Sequence, residues 1–431
     1  MRFMNLKVIP MGELIYDIGD RPKTFKEWFL YGLQQVLAVF VATVLIATIC
    51  GTPISSCLFG ACVGTLIYQL ITKFQSPMFI SSCGATCGAV IAAIGMGGYA
   101  AVVVGGAVIF ATYCLFAMVV KLKGVEFFNY ILPPIIIGPI TMVIGLNLAT
   151  FIPTYVLVGG NHSNLGIVIA IVTMAIVAIT SHYFKGFWKT IPFLIGLLGG
   201  YVICAIITLT GIAPIIDFSL FKDVPFFAIP DFTFKYWDFS QLNGKIIGQV
   251  ALVFLPVAVA ALSEHTSDHL TLSNIIGTNL TKKPGLDKTL VGDGLASWVG
   301  TVLCGLPNTS YGESIATVGF SRVASVAVLT VAALMLGVLS FFAPLQAFIA
   351  SIPSCVFGGC AMILYGYIAA SGLKTLIRSK VDLNDNRNLV IVSVILTTGV
   401  SGIWLFHDAF SGVSLAMILG ILLNFGLKEQ K

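Results

Sequence analysis

Apolar windows long enough to cross a bilayer recur through this chain of 431 residues, and that recurrence leaves few folds open. A segment in hydrocarbon must satisfy its own backbone N–H and C=O groups, so a chain built of such windows folds as packed membrane helices. Composition agrees. Hydrophobic residues make up 58% and charged residues 10%, against roughly 25% charged in a soluble domain. The 44 glycines suit close helix packing in lipid. The net charge of +5 comes from basic residues spread along the chain, which fits cytoplasmic loops and offers nothing to nucleic acid.

The windows fall into two sets of seven. The first set is 29–50, 53–72, a short 78–96, 99–120, 131–149, 165–180 and 191–211. A polar and aromatic loop follows at 212–244, carrying Asp217, Asp223, Asp231 and Asp238. The second set is 245–265, a short 294–305, a broken 311–322, 323–342, 356–370, 389–402 and 409–427. Residues 1–28 lack a continuous apolar core, so they read as a cytoplasmic tail and not as a cleaved signal peptide; 428–431 form a second short tail.

Charge tests the count of fourteen. With the N-terminus inside, the loops bearing Lys73, Lys121, Lys185, Lys282 and Arg378 all fall in the cytoplasm. The acidic 212–244 loop and Asp408 fall outside, and both termini are cytoplasmic. The expectation is therefore an all-α polytopic protein of the cell (inner or plasma) membrane. Its repeats are 29–211 and 245–427, the second upside down relative to the first.

Ionisable residues inside such windows are costly, about 2.5–3.5 kcal/mol each at the helix centre on insertion scales, and they mark pathways. The stretch ALSEHTSDHL, 261–270, places Glu264, His265, Asp268 and His269 at the end of an apolar run. At helical spacing Glu264 and Asp268 share one face, and the two histidines share the next. About forty residues on, PNTSYGESIATVGFSR, 307–322, sets Glu313 among small residues. The short Gly-rich windows 78–96 and 311–322 are the third of each set, which is where a transporter of inverted repeats binds its substrate. SSCGATCG, 81–88, and NTSYGES, 308–314, supply the small and hydroxyl residues that let half-helix N–H groups face a polar ligand.

Blander readings stand beside these. Glu264 could be a helix-end carboxylate beside a loop, Glu313 part of a turn, and His269 a helix-end cap. His265 reads as a packing or surface histidine and is left out of the site. Asp268 is open between site, surface and a partner for His265 or Lys282. Gln34 and Gln35 read equally as bonds between helices. The ten cysteines lie in or beside apolar segments and form no metal or disulfide pattern, so small apolar filler is their reading. No P-loop, Gly-x-Ser-x-Gly or His-Glu-x-x-His motif is present, which argues against an ATP-driven pump or a membrane hydrolase.

On 307–322 and 264–269 the chain resembles the nucleobase–ascorbate transporter (nucleobase:cation symporter) family, in particular its bacterial uracil-permease branch. Supporting stretches are GLQQVLAVFVATVL (32–45), LYGYIAASG (364–372), SKVD (379–382) and ILTTGVSG (395–402). The resemblance implies fourteen crossings in two inverted repeats, with a core domain of crossings 1–4 and 8–11 and a gate domain of crossings 5–7 and 12–14. It implies proton-coupled import of a nucleobase, foremost uracil, by alternating access, with no cofactor and with a homodimer through the gate. Carried onto this chain, Glu264 and Glu313 would accept hydrogen bonds from ring N–H groups. Backbone N–H near Gly84 and Gly312 would meet the ring carbonyls, Tyr311 or Tyr365 would pack near the ring, and His269, with the two glutamates, would couple the proton. The donors and acceptors of a flat pyrimidine suit that set.

Three residues depart from the pattern. Gln35 stands where relatives commonly have His, Gly84 where uracil permeases often have an aromatic, and Asp268 where a small residue is usual. They leave xanthine, guanine or another base on the same fold as an alternative. An anion exchanger or channel of the same seven-plus-seven architecture is the more distant one.

Overall fold

The computed structural model describes residues 13–124, 133–158, 161–403 and 412–427. Residues 1–12 of the first expected tail, all of the second (428–431) and Asp408 lie outside these residues. In the first half the main elements are α1 (Phe25–Cys50), α2 (Ile54–Ile71), strand β1 (Ile80–Ser82), α3 (Cys87–Lys123), α4 (Pro134–Ala149), α5 (Asn164–Tyr183) and α6 (Pro192–Leu209). The second half holds α7 (Gly244–Ile276), α8 (Leu286–Cys304), strand β2 (Asn308–Ser310), α9 (Gly312–Ser321) and α10 (Val326–Leu339). It closes with α11 (Ser354–Arg378), α12 (Asn386–Val400) and α13 (Gly412–Gly426). Each half thus runs helix, helix, strand, helix before its remaining helices. Eight helical stretches among the described residues are long and apolar enough to cross a membrane, and α10, α12 and α13 are shorter apolar helices.

Local chemistry sets the ends. Thr24 and Glu27 close a capping box at the start of α1: Thr24 Oγ1 accepts from Glu27 N–H, and the Glu27 carboxylate accepts from Thr24 N–H. Within α3 the helical path breaks at Gly97 and at Gly98, whose φ of 62° lies in the left-handed region that favours glycine. That break is where the third and fourth apolar windows meet in the sequence.

Three helix boundaries differ from expectation by several residues; one is α11, expected to end at 370, which runs to Arg378 and so takes Arg378 out of the expected loop. Helix α7 does not end at 265 but runs to Ile276 and an αL cap at Gly277, so Glu264 lies about three turns inside it. The short window 294–305 is the second half of α8, which begins at Leu286. Polar residues near Asp287 and Asp293 hid the first half. The tail before α1 is docked over its described part: Ile15 N–H donates to Arg322 C=O at 2.8 Å, and Ala324 N–H to Tyr16 C=O at 2.8 Å. The 212–244 loop folds back over α2, where Phe232 sits edge-on to Phe59 with ring centres 5.3 Å apart.

Contacts sort the helices into two sets. α1, α2, α3, α7, α8, α9 and α10 pack on one another, and so do α4, α5, α6, α11, α12 and α13. Small residues permit the close crossings. A methyl at Gly145 of α4 would strike the backbone of Ala369 and Tyr365 in α11, so α4 and α11 touch backbone to backbone.

One bond between the sets follows from a proline. Pro256, inside α7, has no N–H to give the Leu252 carbonyl one turn back. Ser414 of α13 supplies the missing donor, its Oγ 2.6 Å from Leu252 O. Ser414→Ala should cost about 1–3 kcal/mol by orphaning a carbonyl, read as a lower melting temperature in detergent. On a Pro256→Ala background, where the helix restores its own donor, the same change should cost much less.

Candidate functional site

Two three-residue strands at membrane depth would each leave backbone groups unpaired, and they solve this by pairing with each other. β1 and β2 are antiparallel, with Ile80 opposite Ser310, Ser81 opposite Thr309 and Ser82 opposite Asn308. The ladder extends at both ends: Cys83 N–H donates to Pro307 C=O at 2.8 Å, and Tyr311 N–H to Phe79 C=O at 3.1 Å. An antiparallel pair drawn from corresponding places in two halves is what inverted repeats require.

Side chains from three helices hold the crossing. Thr65 of α2 both donates to Ile80 C=O (2.9 Å) and accepts from Ile80 N–H (3.0 Å). Thr43 of α1 bonds Ser81 through the hydroxyls at 2.6 Å. Asn308 Nδ2 donates to Gly60 C=O at 3.1 Å and Ala296 C=O at 3.2 Å, and Ser297 Oγ donates to Asn308 C=O. Gln35 of α1 accepts from Ser314 of α9 at 2.9 Å, which ties it to the broken segment.

Beyond each strand a helix begins. Gly84–Thr86 forms a single 3-10 turn leading into α3, and Gly312 opens α9. The residues before them, Cys83 and Tyr311, place no side-chain cap on the free N–H groups. Two uncapped N-termini, each with a positive dipole end, therefore meet at the crossing. Space lies in front of one of them: Gly312 is exposed, and a methyl built there meets nothing within 4 Å. At Gly84 a methyl would touch Ile46 at 3.5 Å and Ile368 at 3.6 Å.

The carboxylates come from α7 and α9. Glu264 is exposed although Ala261, Leu262 and His265 around it are buried, so it projects from the helix into open space. It interacts electrostatically with Glu313, which is half-buried in the first turn of α9. Asp268, one turn on, accepts from Ser310 Oγ at 2.9 Å, binding α7 to β2. Tyr311 and Tyr365 are 4% and 1% exposed, packed in the apolar core.

Behind the carboxylates lies a buried ionisable cluster. His269 Nδ1 is 2.9 Å from the His265 carbonyl; a carbonyl only accepts, so Nδ1 carries a proton and Nε2 is the nitrogen left to exchange one. Nε2 faces the Tyr68 hydroxyl at 2.7 Å, and that hydroxyl lies 2.8 Å from Ser76 Oγ. His265 Nδ1 is 2.5 Å from Asp293 Oδ2, with both side chains fully buried. Thr309 of β2 reaches the same oxygen at 3.5 Å.

Sequence reasoning missed this His265–Asp293 pair. Asp293 falls just before the window 294–305 and so reads as a loop residue. Starting the helix at Leu286 puts Leu286, Leu290, Asp293 and Ser297 on one face, all buried, and exposes the signal. All ten cysteines are free, nine of them buried, and the described residues hold no cluster of metal-binding side chains.

Residues 26–407 match the Xan_ur_permease model, described as the permease family. The chain belongs to the permease family. It is a membrane transporter and not an enzyme. Among curated relatives it is 36% identical over 419 residues to the uracil permease of Bacillus caldolyticus, covering 96% of this chain and 95% of that one. It is 33% identical over 421 residues to the uracil permease of Escherichia coli (strain K12), covering 95% and 93%. Among solved structures, the transmembrane domain of a cyanobacterium bicarbonate transporter, BicA, superposes with a TM-score of 0.60 at 15% identity, covering 94% of this chain and 98% of that one. SLC26A9 gives 0.62 at 13% identity, covering 93% and 65%. At such identities these two share the fold alone.

Single and double changes at the buried pair should differ in size. His265→Leu alone strands Asp293 and should cost about 3–5 kcal/mol. The His265→Leu/Asp293→Leu double variant should recover much of that loss in a thermal melt of the purified permease, because no buried charge is then left alone.

Proposed function

We propose that this permease imports a nucleobase, foremost uracil, together with protons, and that the base binds at the strand crossing. The carrying observation is the meeting of two uncapped helix N-termini, at Gly84 and Gly312, with two carboxylates, Glu264 and Glu313, that do not point into the packed core. A pyrimidine dione needs donors for its carbonyls and acceptors for its ring N–H groups, and the crossing offers both kinds. The uracil permeases that match nearly the whole chain support that substrate.

In this reading the first packing set is the core domain and the second the gate. The core would move against the gate to expose the site to one side and then the other. Glu264 and Glu313 bind the ring N–H groups, backbone N–H at Gly84 and Gly312 binds the carbonyls, and Tyr311 and Tyr365 back the ring. A carboxylate closed into an apolar site is costly to keep charged, so loading favours proton uptake by Glu264, Glu313 or His269. Fourteen crossings, cytoplasmic termini, residence in the plasma membrane and a homodimer through the gate belong to the same proposal.

Anion transport is the contrasting reading, since the structural neighbours include a bicarbonate transporter. Glu264, Asp268 and Glu313 around one opening would repel an anion.

Uptake of labelled uracil into proteoliposomes, with and without an inward proton gradient, tests the proposal. Gradient-driven uptake should be competed best by unlabelled uracil and not by bicarbonate or sulfate. Glu264→Gln and Glu313→Gln should each lower uptake roughly 10- to 100-fold, the loss expected for a hydrogen bond to a charged group. Wild-type rates in both variants would remove these residues from the site, and no uptake of any base by folded protein would end the nucleobase reading.

A further inference from the structure

Away from the crossing, a crevice of about 360 Å³ opens between α2, α3 and α8. Its wall is apolar: Ile71 of α2, Cys114, Ala117 and Met118 of α3, and Val291 of α8. Its charged lining is Lys121, in the last turn of α3, and Asp287 and Lys288, in the first turn of α8. Both lysines are exposed, and among the described residues neither forms an ion pair, although Asp287 shares the crevice. The apolar surface continues outward along α3 through Leu115, Met118 and Leu122, which are 53%, 53% and 74% exposed.

We propose that this crevice binds an anionic phospholipid. Its two parts ask for different chemistry: unpaired ammonium groups at the helix ends favour a phosphate, and the apolar wall one to two turns deeper favours an acyl chain. A soluble anion would leave the wall bare, and a zwitterionic lipid would leave the excess positive charge unmatched. Lys123 shares the last turn of α3 with Lys121, and Lys282 and Lys283 stand in the turn just before α8, so anionic headgroups would be drawn by the same field.

Occupancy would also reach the buried cluster. Ile71 forms the inner wall, and Gly292 of α8 packs so closely behind it that a methyl there would lie 3.6 Å from Ile71 Cβ and 3.1 Å from Tyr68 Cδ2. A lipid pressing on Ile71 therefore bears on the α2–α8 contact that holds Tyr68 against His269 and sets Asp293 one residue further along.

Native mass spectrometry of the purified full chain, titrated with phosphatidylglycerol or phosphatidylcholine, tests this. The wild type should retain phosphatidylglycerol in preference to phosphatidylcholine. Lys121→Ala/Lys288→Ala should lower phosphatidylglycerol retention about 10- to 30-fold, as for two lysines near an anionic headgroup, and Lys121→Arg/Lys288→Arg should keep it. Met118→Trp, which narrows the wall and leaves both lysines, should weaken it too. Should the alanine pair fail to fold, Lys121→Gln and Lys288→Gln are scored singly, each with a smaller loss. Equal retention of the two lipids by the wild type, or unchanged preference once the lysine charges are removed, would overturn the proposal.

Discussion

Extended backbone cannot survive in hydrocarbon with its N–H and C=O groups unpaired, and the strand crossing meets that constraint. β1 and β2 pair edge to edge, so two interruptions become one closed ladder. Neither strand could persist alone, which makes the two halves mutually dependent at the centre of the molecule. Breaking two helices yields two uncapped helix N-termini at the crossing, and open space lies in front of the one at Gly312. The hydroxyls of Thr43, Thr65 and Ser297 hold this ladder in register.

Charge is arranged around the ladder in two layers. Glu264 and Glu313 stand where water or a ligand can meet them, and Asp268 is tied to Ser310. His265, His269 and Asp293 lie fully buried behind, linked to Tyr68 and, through Thr309, to β2 itself. A change of protonation at either layer therefore acts on the same strands and helix ends. That proximity is the physical basis on which binding and proton movement could be coupled in a permease of this kind.

Much of this was legible from residues alone, and the reasons are specific. Apolar windows report burial in lipid directly, so most helices stand within a few residues of their expected places. The broken segments announced themselves through Gly, Ser and Thr at corresponding positions of the two halves. What stayed hidden was polar sequence that packing makes helical. The last turns of α7 and the first turns of α8 carry Ser, Asp, Lys and Thr, and in isolation they resemble loops. His265 read as a packing or surface residue outside the site because its partner, Asp293, is twenty-eight positions away and joins it only once α7 and α8 pack. The docked tail at Ile15 and Tyr16 was equally unreadable, since backbone bonds to Arg322 and Ala324 leave no side-chain signature.

The central claim is that the base lies between the helix N-termini at the strand crossing, and a structure of the protein with uracil bound tests it most directly. The ring should lie between Gly84 and Gly312, its carbonyls on backbone N–H groups and its N–H groups on Glu264 and Glu313. Uracil bound elsewhere, or seated there without touching either glutamate, would contradict it.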